Sequence, residues 1–440
     1  MAERITATAS YLSLTVWFAI WLMASWYFSG RRFSPAVAFF GFWLCSLVLI
    51  SWGQSKATYD YGMISPNAYL FLLKAGGLFG LGAISGTLLV SIGRLRGVVS
   101  SATTKASVKM KFDRLSMFCL SLGSFVLTVT DLYIEKPDFR HFVQAAASTR
   151  EKLTEHGVGQ TAVLAAAATC ALMVVIPAIF ASVLETKRVL WWYLLPFLSI
   201  ALLSLVSVGK FAVIFLALCG FNTALLWSGL NGFRIRKRLV LIGGASIALI
   251  FWVTSVLRGS LDSSGESKVE AFGHLVYDYA TGYIPAFGGY FEEYTSDSLS
   301  TRPSSEDYDL ENPRWGNQTF AGMYRLLSYA GLSTRSASNH YEGTFNVYTV
   351  FRDLITDFGV NGALGLCFLV GLALQWIFLL GRPGNLRWLI FLSLAMVQME
   401  FSLVYSLFGL IFYPVSLLLS PYLVRCPRRP AEIGKVGASS

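Results

Sequence analysis

The densest set of chemistry-capable residues lies in one stretch, Gly343 to Gly362, which reads GTFNVYTVFRDLITDFGVNG. On a helix, Asn346, Thr349, Asp353 and Asp357 fall at i, i+3, i+7 and i+11, stacked on one face. Val347, Phe351, Leu354, Ile355 and Phe358 cover much of the rest, and Arg352 sits beside the acids. His340 and Glu342 stand just upstream. Proton transfer needs a group whose pKa its site can tune, so Asp353, His340 and Glu342 are candidate proton acceptors. A solvated helix start, with acids near the positive end of the helix dipole, has the same pattern, and a histidine there is also compatible with an ordinary loop.

A second set is cationic. Lys210, Arg258, Arg325 and Arg352 are predicted near the outer headgroup level of a membrane or in the loop above it. Cations on that side run against the usual bias of membrane proteins. An arginine fork makes two charge-assisted hydrogen bonds to a phosphate. Several together can hold the diphosphate of a lipid carrier and stabilise it as a leaving group. Snorkelling side chains, or ion pairs with nearby acids, are the alternative for each of them.

The elements that must position these groups are apolar helices. Of the 440 residues, 55% are hydrophobic and only 14% charged, with a mean hydropathy of +0.57. Repeated apolar runs of about 20 residues alternate with short basic loops. The pattern predicts an all-α, polytopic membrane protein of about eleven transmembrane helices with one large structured external loop. Alternating short strands, the mark of a transmembrane barrel, are not visible. The net charge of +10 sits in the short loops, including Arg94, Arg96, Lys105, Lys109 and Lys111 and the run Arg234 to Arg238. That distribution indicates a cytoplasmic face and no nucleic-acid partner; the lipid bilayer is the expected surrounding.

Four segments are expected: a bundle of eight spans over 1–257, a large loop over 258–348, three spans over 349–424 and a basic cytoplasmic tail over 425–440. The sixth and seventh spans divide near Gly209 and Lys210, the ninth begins near Asp357, and the tenth and eleventh divide near Ser406. Lys74 within the third span is either functional or snorkelling. The loop holds twelve acids against six bases, so it is net acidic and belongs on the outer side. It also has helical periodicity. Val269, Phe272, Val276 and Tyr279 share one face, and Phe320, Met323, Tyr324 and Leu327 another. These are expected to lie on the membrane surface or cap the bundle. A loop of this length with its own structure is usually functional.

Nucleotide-binding, metalloprotease and serine-hydrolase motifs are absent from the sequence. Asp307-Tyr308-Asp309 is a D-x-D, a pattern that can hold a metal with a nucleotide sugar, but its external placement favours a solvated loop. Cys45, Cys119, Cys170, Cys219 and Cys367 lie in apolar runs and Cys426 in the tail, with neither a disulfide framework nor zinc spacing. No metal or cofactor is expected.

The segment NVYTVFRDLITDFGVNG resembles the signature of the O-antigen polymerases, the Wzy-type oligosaccharide repeat-unit polymerases. In that family an Asn, a Thr and a D-F-G lead from a large external loop into a late span; Asn346, Thr349, Asp357, Phe358, Gly359 and Gly362 are the matching positions. The turn Ser207-Val208-Gly209-Lys210 is similar to the family's basic turn between two middle spans, with Lys where Arg is commoner. Tyr277 to Tyr294, YDYATGYIPAFGGYFEEY, is similar to the aromatic start of the family's large loop. An arginine-to-glycine spacing that some polymerases carry in external loops is absent.

The resemblance implies a helical bundle of the GT-C-like kind in the bacterial inner membrane, with the large loop periplasmic. It implies a glycosyltransferase that moves a growing glycan from undecaprenyl diphosphate onto a new lipid-linked repeat unit, with a polysaccharide chain-length regulator as a possible partner. In that reading Arg258, Arg325 and Lys210 neutralise diphosphate charge, and Asp353 or His340 orients or deprotonates the acceptor. Asn346, Thr349, Arg352, Asp357 and Glu342 bind substrate. An O-antigen ligase shares this architecture and donor chemistry. A lipid-linked oligosaccharide flippase or other transporter is the alternative from a different class, and a structural or partner-recruiting membrane protein is a further one.

Overall fold

The computed structural model describes residues 2–56, 64–95, 113–135, 160–207, 210–231, 252, 267–295, 319–320, 349–381, 385–403, 407 and 412–423. Their regular elements are all helices, with no strand among the described residues. In chain order the helices are α1 (Ala2–Phe28), α2 (Pro35–Lys56), α3 (Pro66–Leu95), α4 (Arg114–Glu135), α5 (Gln160–Thr186), α6 (Leu194–Ser207) and α7 (Lys210–Asn231). There follow α8 (Lys268–Thr281), α9 (Tyr283–Thr295), α10 (Val350–Leu380), α11 (Leu386–Phe401) and α12 (Phe412–Leu423).

Local sequence explains where several of them start. Ser34 Oγ accepts from Val37 N at 3.3 Å and Pro35 takes the first helical position of α2; Ser65 and Pro66 repeat this at α3, with Ser65 Oγ accepting from Ala68 N at 3.3 Å. Proline suits that position because its missing N–H has no intrahelical partner there in any case. Asp113 caps α4, its Oδ1 accepting from Leu115 N at 3.2 Å. Asn385 caps α11 through Arg387 N at 3.1 Å.

Six of these helices are long and apolar enough to cross a membrane: Thr6–Phe28, Pro35–Ser55, Pro66–Gly93, Arg114–Ile134, Ala166–Thr186 and Val350–Leu380. Shorter apolar helices cover Trp191–Leu203 and Ile214–Ser228. On α1 the exposed side chains Leu12, Val16, Ile20 and Met23 form one stripe, while Tyr11, Leu14 and Phe18 are fully buried on the other side. A continuous exposed apolar stripe would be a liability in water and is the expected surface toward lipid. The chain is therefore a multi-pass helical membrane protein. Lys74, in the first third of α3, is exposed.

The packing has two centres. One joins α1, α2, α3, α9 and α10 around Phe18, Phe39, Phe40, Trp43 and Phe351. The other joins α5, α6, α7, α11 and α12 around Met173, Ile176, Phe215, Leu389 and Tyr413. Helix α11 contacts both α2 and α7 and so links the two. Within the first half, α3 and α10 meet backbone to backbone. A Cβ placed on Gly82 would collide with Phe368 O, and one on Gly371 with Phe79 O. Lipid tails are as apolar as leucine, so helices in a membrane gain by such close contact through small residues.

The apolar faces expected in the loop are resolved in part. Val269, Val276 and Tyr279 of α8 are exposed, whereas Tyr277 is buried and donates from its hydroxyl to Leu49 O at 2.9 Å. Helix α8 thus docks one edge on the end of α2 and presents its apolar face outward. The face expected around Met323, Tyr324 and Leu327 lies outside the described residues, as do Asp307 to Asp309 and the apolar run at 239–257 apart from Trp252.

Candidate functional site

The chemistry-bearing stretch opens α10. Thr349 is its N-cap with extended backbone (φ −65°, ψ 158°), and its side chain makes no cap hydrogen bond. The hydroxyl of Thr349 is fully buried and has no hydrogen-bond partner among the described residues. The next residue is tied elsewhere: Val350 N donates to Ser402 O, the C-cap of α11, at 2.8 Å. Ser402 Oγ in turn accepts from Trp43 Nε1 at 2.8 Å. One polar knot therefore joins α2, α10 and α11 at the start of the stretch.

From there the helix runs only to Phe358 before it breaks. Gly359 has φ 68° and ψ 173° inside α10, a combination open essentially to glycine alone. The break separates a short polar segment, Val350 to Phe358, from the apolar remainder. The ninth span, expected from about Asp357, is thus one helix from Val350 with a discontinuity just after that residue.

The short segment is enclosed. Phe351 packs among Trp43, Phe71 and Phe287 at ring separations of 5.2, 5.5 and 6.0 Å. Ile355 is fully buried. On another side, the hydroxyls of Thr356 and Tyr290 lie 2.8 Å apart, joining α10 to α9. The acids are enclosed too: Asp353 is 9% exposed and Asp357 3%. A solvated helix start does not have this burial. Asp353 sits in the first turn of α10, where the helix dipole favours a negative charge, and its Oδ1 lies 3.5 Å from Arg352 Nε. Asp357 Oδ2 accepts from the backbone N–H of Thr319 at 2.6 Å. Part of the large loop is thereby laid against the polar segment.

The structure thus brings together Thr349, Arg352, Asp353 and Asp357 on one short segment. Lys210 opens α7, and its side chain lies outside the described positions. Arg258, Arg325, His340, Glu342 and Asn346 lie outside the described residues. Among the described residues, no three His, Cys, Asp or Glu side chains converge as metal ligands would.

Sequence reasoning passed over Thr356, Tyr290, Thr319 and Ser402. Thr356 is off the polar stripe, and the other three belong to distant segments whose approach no spacing announces. The chemistry open to this site is that of two shielded carboxylates beside one guanidinium. Such a site can orient a hydroxyl, take a proton, or balance the charge of a polar ligand arriving from the loop side. No protein family, curated protein or solved structure matches the chain.

Proposed function

We propose that the protein is a bacterial surface-polysaccharide polymerase, acting on O-antigen or exopolysaccharide repeat units. It moves a growing glycan from undecaprenyl diphosphate onto a new lipid-linked repeat unit, at the periplasmic face of the inner membrane. The observation that carries this reading is the enclosed start of α10. Buried Asp353 and Asp357 stand where a loop segment folds onto a membrane helix, and that helix breaks at the glycine of the D-F-G. Carboxylates buried at the head of a span are costly and point to function.

In the reaction the acceptor sugar hydroxyl attacks the anomeric carbon of the donor glycan. The bond from that carbon to the lipid diphosphate breaks, and the diphosphate leaves with the bonding electrons. Asp353 or His340 takes the hydroxyl proton. Arg258, Arg325 and Lys210 stabilise the departing charge. Asn346, Thr349, Arg352, Asp357 and Glu342 position sugar or phosphate. A chain-length regulator is a partner suited to the membrane-embedded helices.

Glycans from cells lacking the gene, separated by size, test this reading. A ladder that collapses to a single-repeat band is expected, with Asp353→Asn, Arg258→Ala and Arg325→Ala failing to restore it at normal protein level. Long polymer that stays unlinked to its lipid core would instead identify a ligase. Single units retained on the cytoplasmic side would identify a transporter.

A further inference from the structure

The second half of the bundle holds a buried carboxyl that the proposed transfer does not use. Glu400 stands near the end of α11, in LRWLIFLSLAMVQMEF, where it is the single acid. It is 3% exposed. Its one hydrogen bond among the described residues comes from Asn222 of α7, whose Nδ2 donates to Oε2 at 3.1 Å. Asn222 is fully buried as well.

Two oxygens of this pair, Glu400 Oε1 and Asn222 Oδ1, are buried and have no hydrogen-bond partner among the described residues. Both atoms, a carboxylate oxygen and an amide carbonyl oxygen, can only accept. Neighbouring polar groups are already engaged. Thr223 Oγ1 bonds to Cys219 O and Ser393 Oγ, Ser393 Oγ donates to Cys219 O, and Gln398 Oε1 accepts from Leu407 N. The buried described residues include neither lysine nor arginine. The nearby titratable groups are also neutral in character: Cys219 on α7 lies within electrostatic reach of Glu400, and Tyr413 on α12 within reach of Cys219. Tyr413 already donates to Leu394 O at 2.9 Å, and Cys170 of α5 to Phe412 O at 3.3 Å.

We propose that the Glu400–Asn222 pair binds one monovalent positive charge, a proton or a sodium ion, between α7 and α11. A bare carboxylate in this core would have one amide donor against the full cost of leaving water, which a single donor does not offset. One positive charge neutralises it, and the buried pair leaves two acceptor oxygens open to such a charge. Carboxyls placed inside membrane helices characteristically mark ion or proton sites. The pair lies outside the residues proposed for the transfer, although Ser402, two residues after Glu400, accepts from Val350 N at the start of α10.

The test is thermal unfolding of the purified full-length protein in detergent, in sodium chloride and in an organic-cation chloride of equal ionic strength. Each is run in mildly acidic and mildly alkaline buffer. A sodium site gives wild-type protein a rise in unfolding temperature with sodium in alkaline buffer. A proton site gives a rise on acidification in either salt. Glu400→Gln, which keeps the volume and removes the charge, loses that response. Asn222→Ala keeps the carboxyl and displaces the response: to severalfold higher sodium because the ion loses the amide oxygen, or to higher pH because the carboxylate loses its donor. Should Glu400→Gln fail to fold, the displacement in Asn222→Ala decides alone. A wild-type response that is absent, or that both variants share unchanged, overturns the proposal and leaves the pair as a fixed hydrogen bond.

Discussion

The hydroxyls of Tyr290 and Thr356 meet at 2.8 Å, fastening the loop helix α9 to the polar head of α10. Tyr290→Phe removes this bond and keeps the ring. A loss of about 1 kcal/mol is expected, the usual net worth of one such bond. Thr356→Val is expected to cost a similar amount, and the double variant no more than either alone. Thermal unfolding of the three proteins measures the coupling; full additivity of the two losses means the contact is not energetically linked.

Asp357 is the anchor for a different piece of the loop. Asp357→Ala strands the buried N–H of Thr319 without its acceptor, at a cost of about 1–3 kcal/mol. Asp357→Asn retains a carbonyl oxygen there and is expected to be milder in stability. If the protein acts as proposed, both shorten the glycan ladder in cells, and the asparagine variant isolates the contribution of charge from that of folding.

The break at Gly359 depends on backbone alone. A methyl group at this position meets nothing within 4 Å, yet φ is 68°. Gly359→Ala therefore introduces strain of about 1–3 kcal/mol without a clash. On the proposed function, loss of polymer with full-length protein still present in the membrane is the expected outcome. Gly365→Ala, also in open space but at ordinary helical angles, is the control and should behave as wild type.

The seam between α3 and α10 has the opposite character, being all clash and no strain. Gly371→Val forces a side chain into Phe79 O. Overpacking typically costs about 1–3 kcal/mol and occasionally more; this contact is backbone on both sides and cannot yield by turning a side chain. Little folded protein should be recovered. Normal yield from Gly371→Val would mean that the helices do not meet as described.

Helix α8 carries a pH dependence of its own. Ser267 and Glu270 form a capping box, with Ser267 Oγ donating to Glu270 Oε2 at 2.8 Å. The hydrogen bonds from Ser267 hold the Glu270 carboxyl below its ordinary value. Folding therefore favours the charged form. The stabilisation is present above the ordinary glutamate range and is lost as pH falls through the lowered value in the folded protein. Amide exchange at the start of α8 should quicken on acidification. Ser267→Ala should quicken it at neutral pH, with little further change on acidification.

Much of this organisation is legible in the sequence. Pro35, Pro66 and Asn385 mark helix starts by their own chemistry, and apolar runs of sufficient length specify helices that cross a membrane. The polar stripe ahead of Gly362 is legible as a candidate site because period and residue type coincide there. Its enclosure is not legible. The head of α10 is enclosed by α9 through Tyr290 and by the C-cap of α11 through Ser402, and neither approach leaves a trace in local spacing. The break at Gly359 is hidden for a related reason: glycine is common within apolar spans and only its φ angle distinguishes a break from a packing notch. Glu400 has a signal, a single acid within an apolar run, but Asn222 lies far away in the chain and no periodicity links them.

The glycine seam also has a consequence for how the protein is made. Gly82 emerges early from the ribosome, whereas Phe368 and Gly371 emerge only after most of the chain. Folding during synthesis generally proceeds from the N-terminus. The first three helices must therefore wait in the bilayer with a narrow groove along α3 unfilled. The seam closes only when α10 arrives, so the head of α10 is set against the first helices late in synthesis.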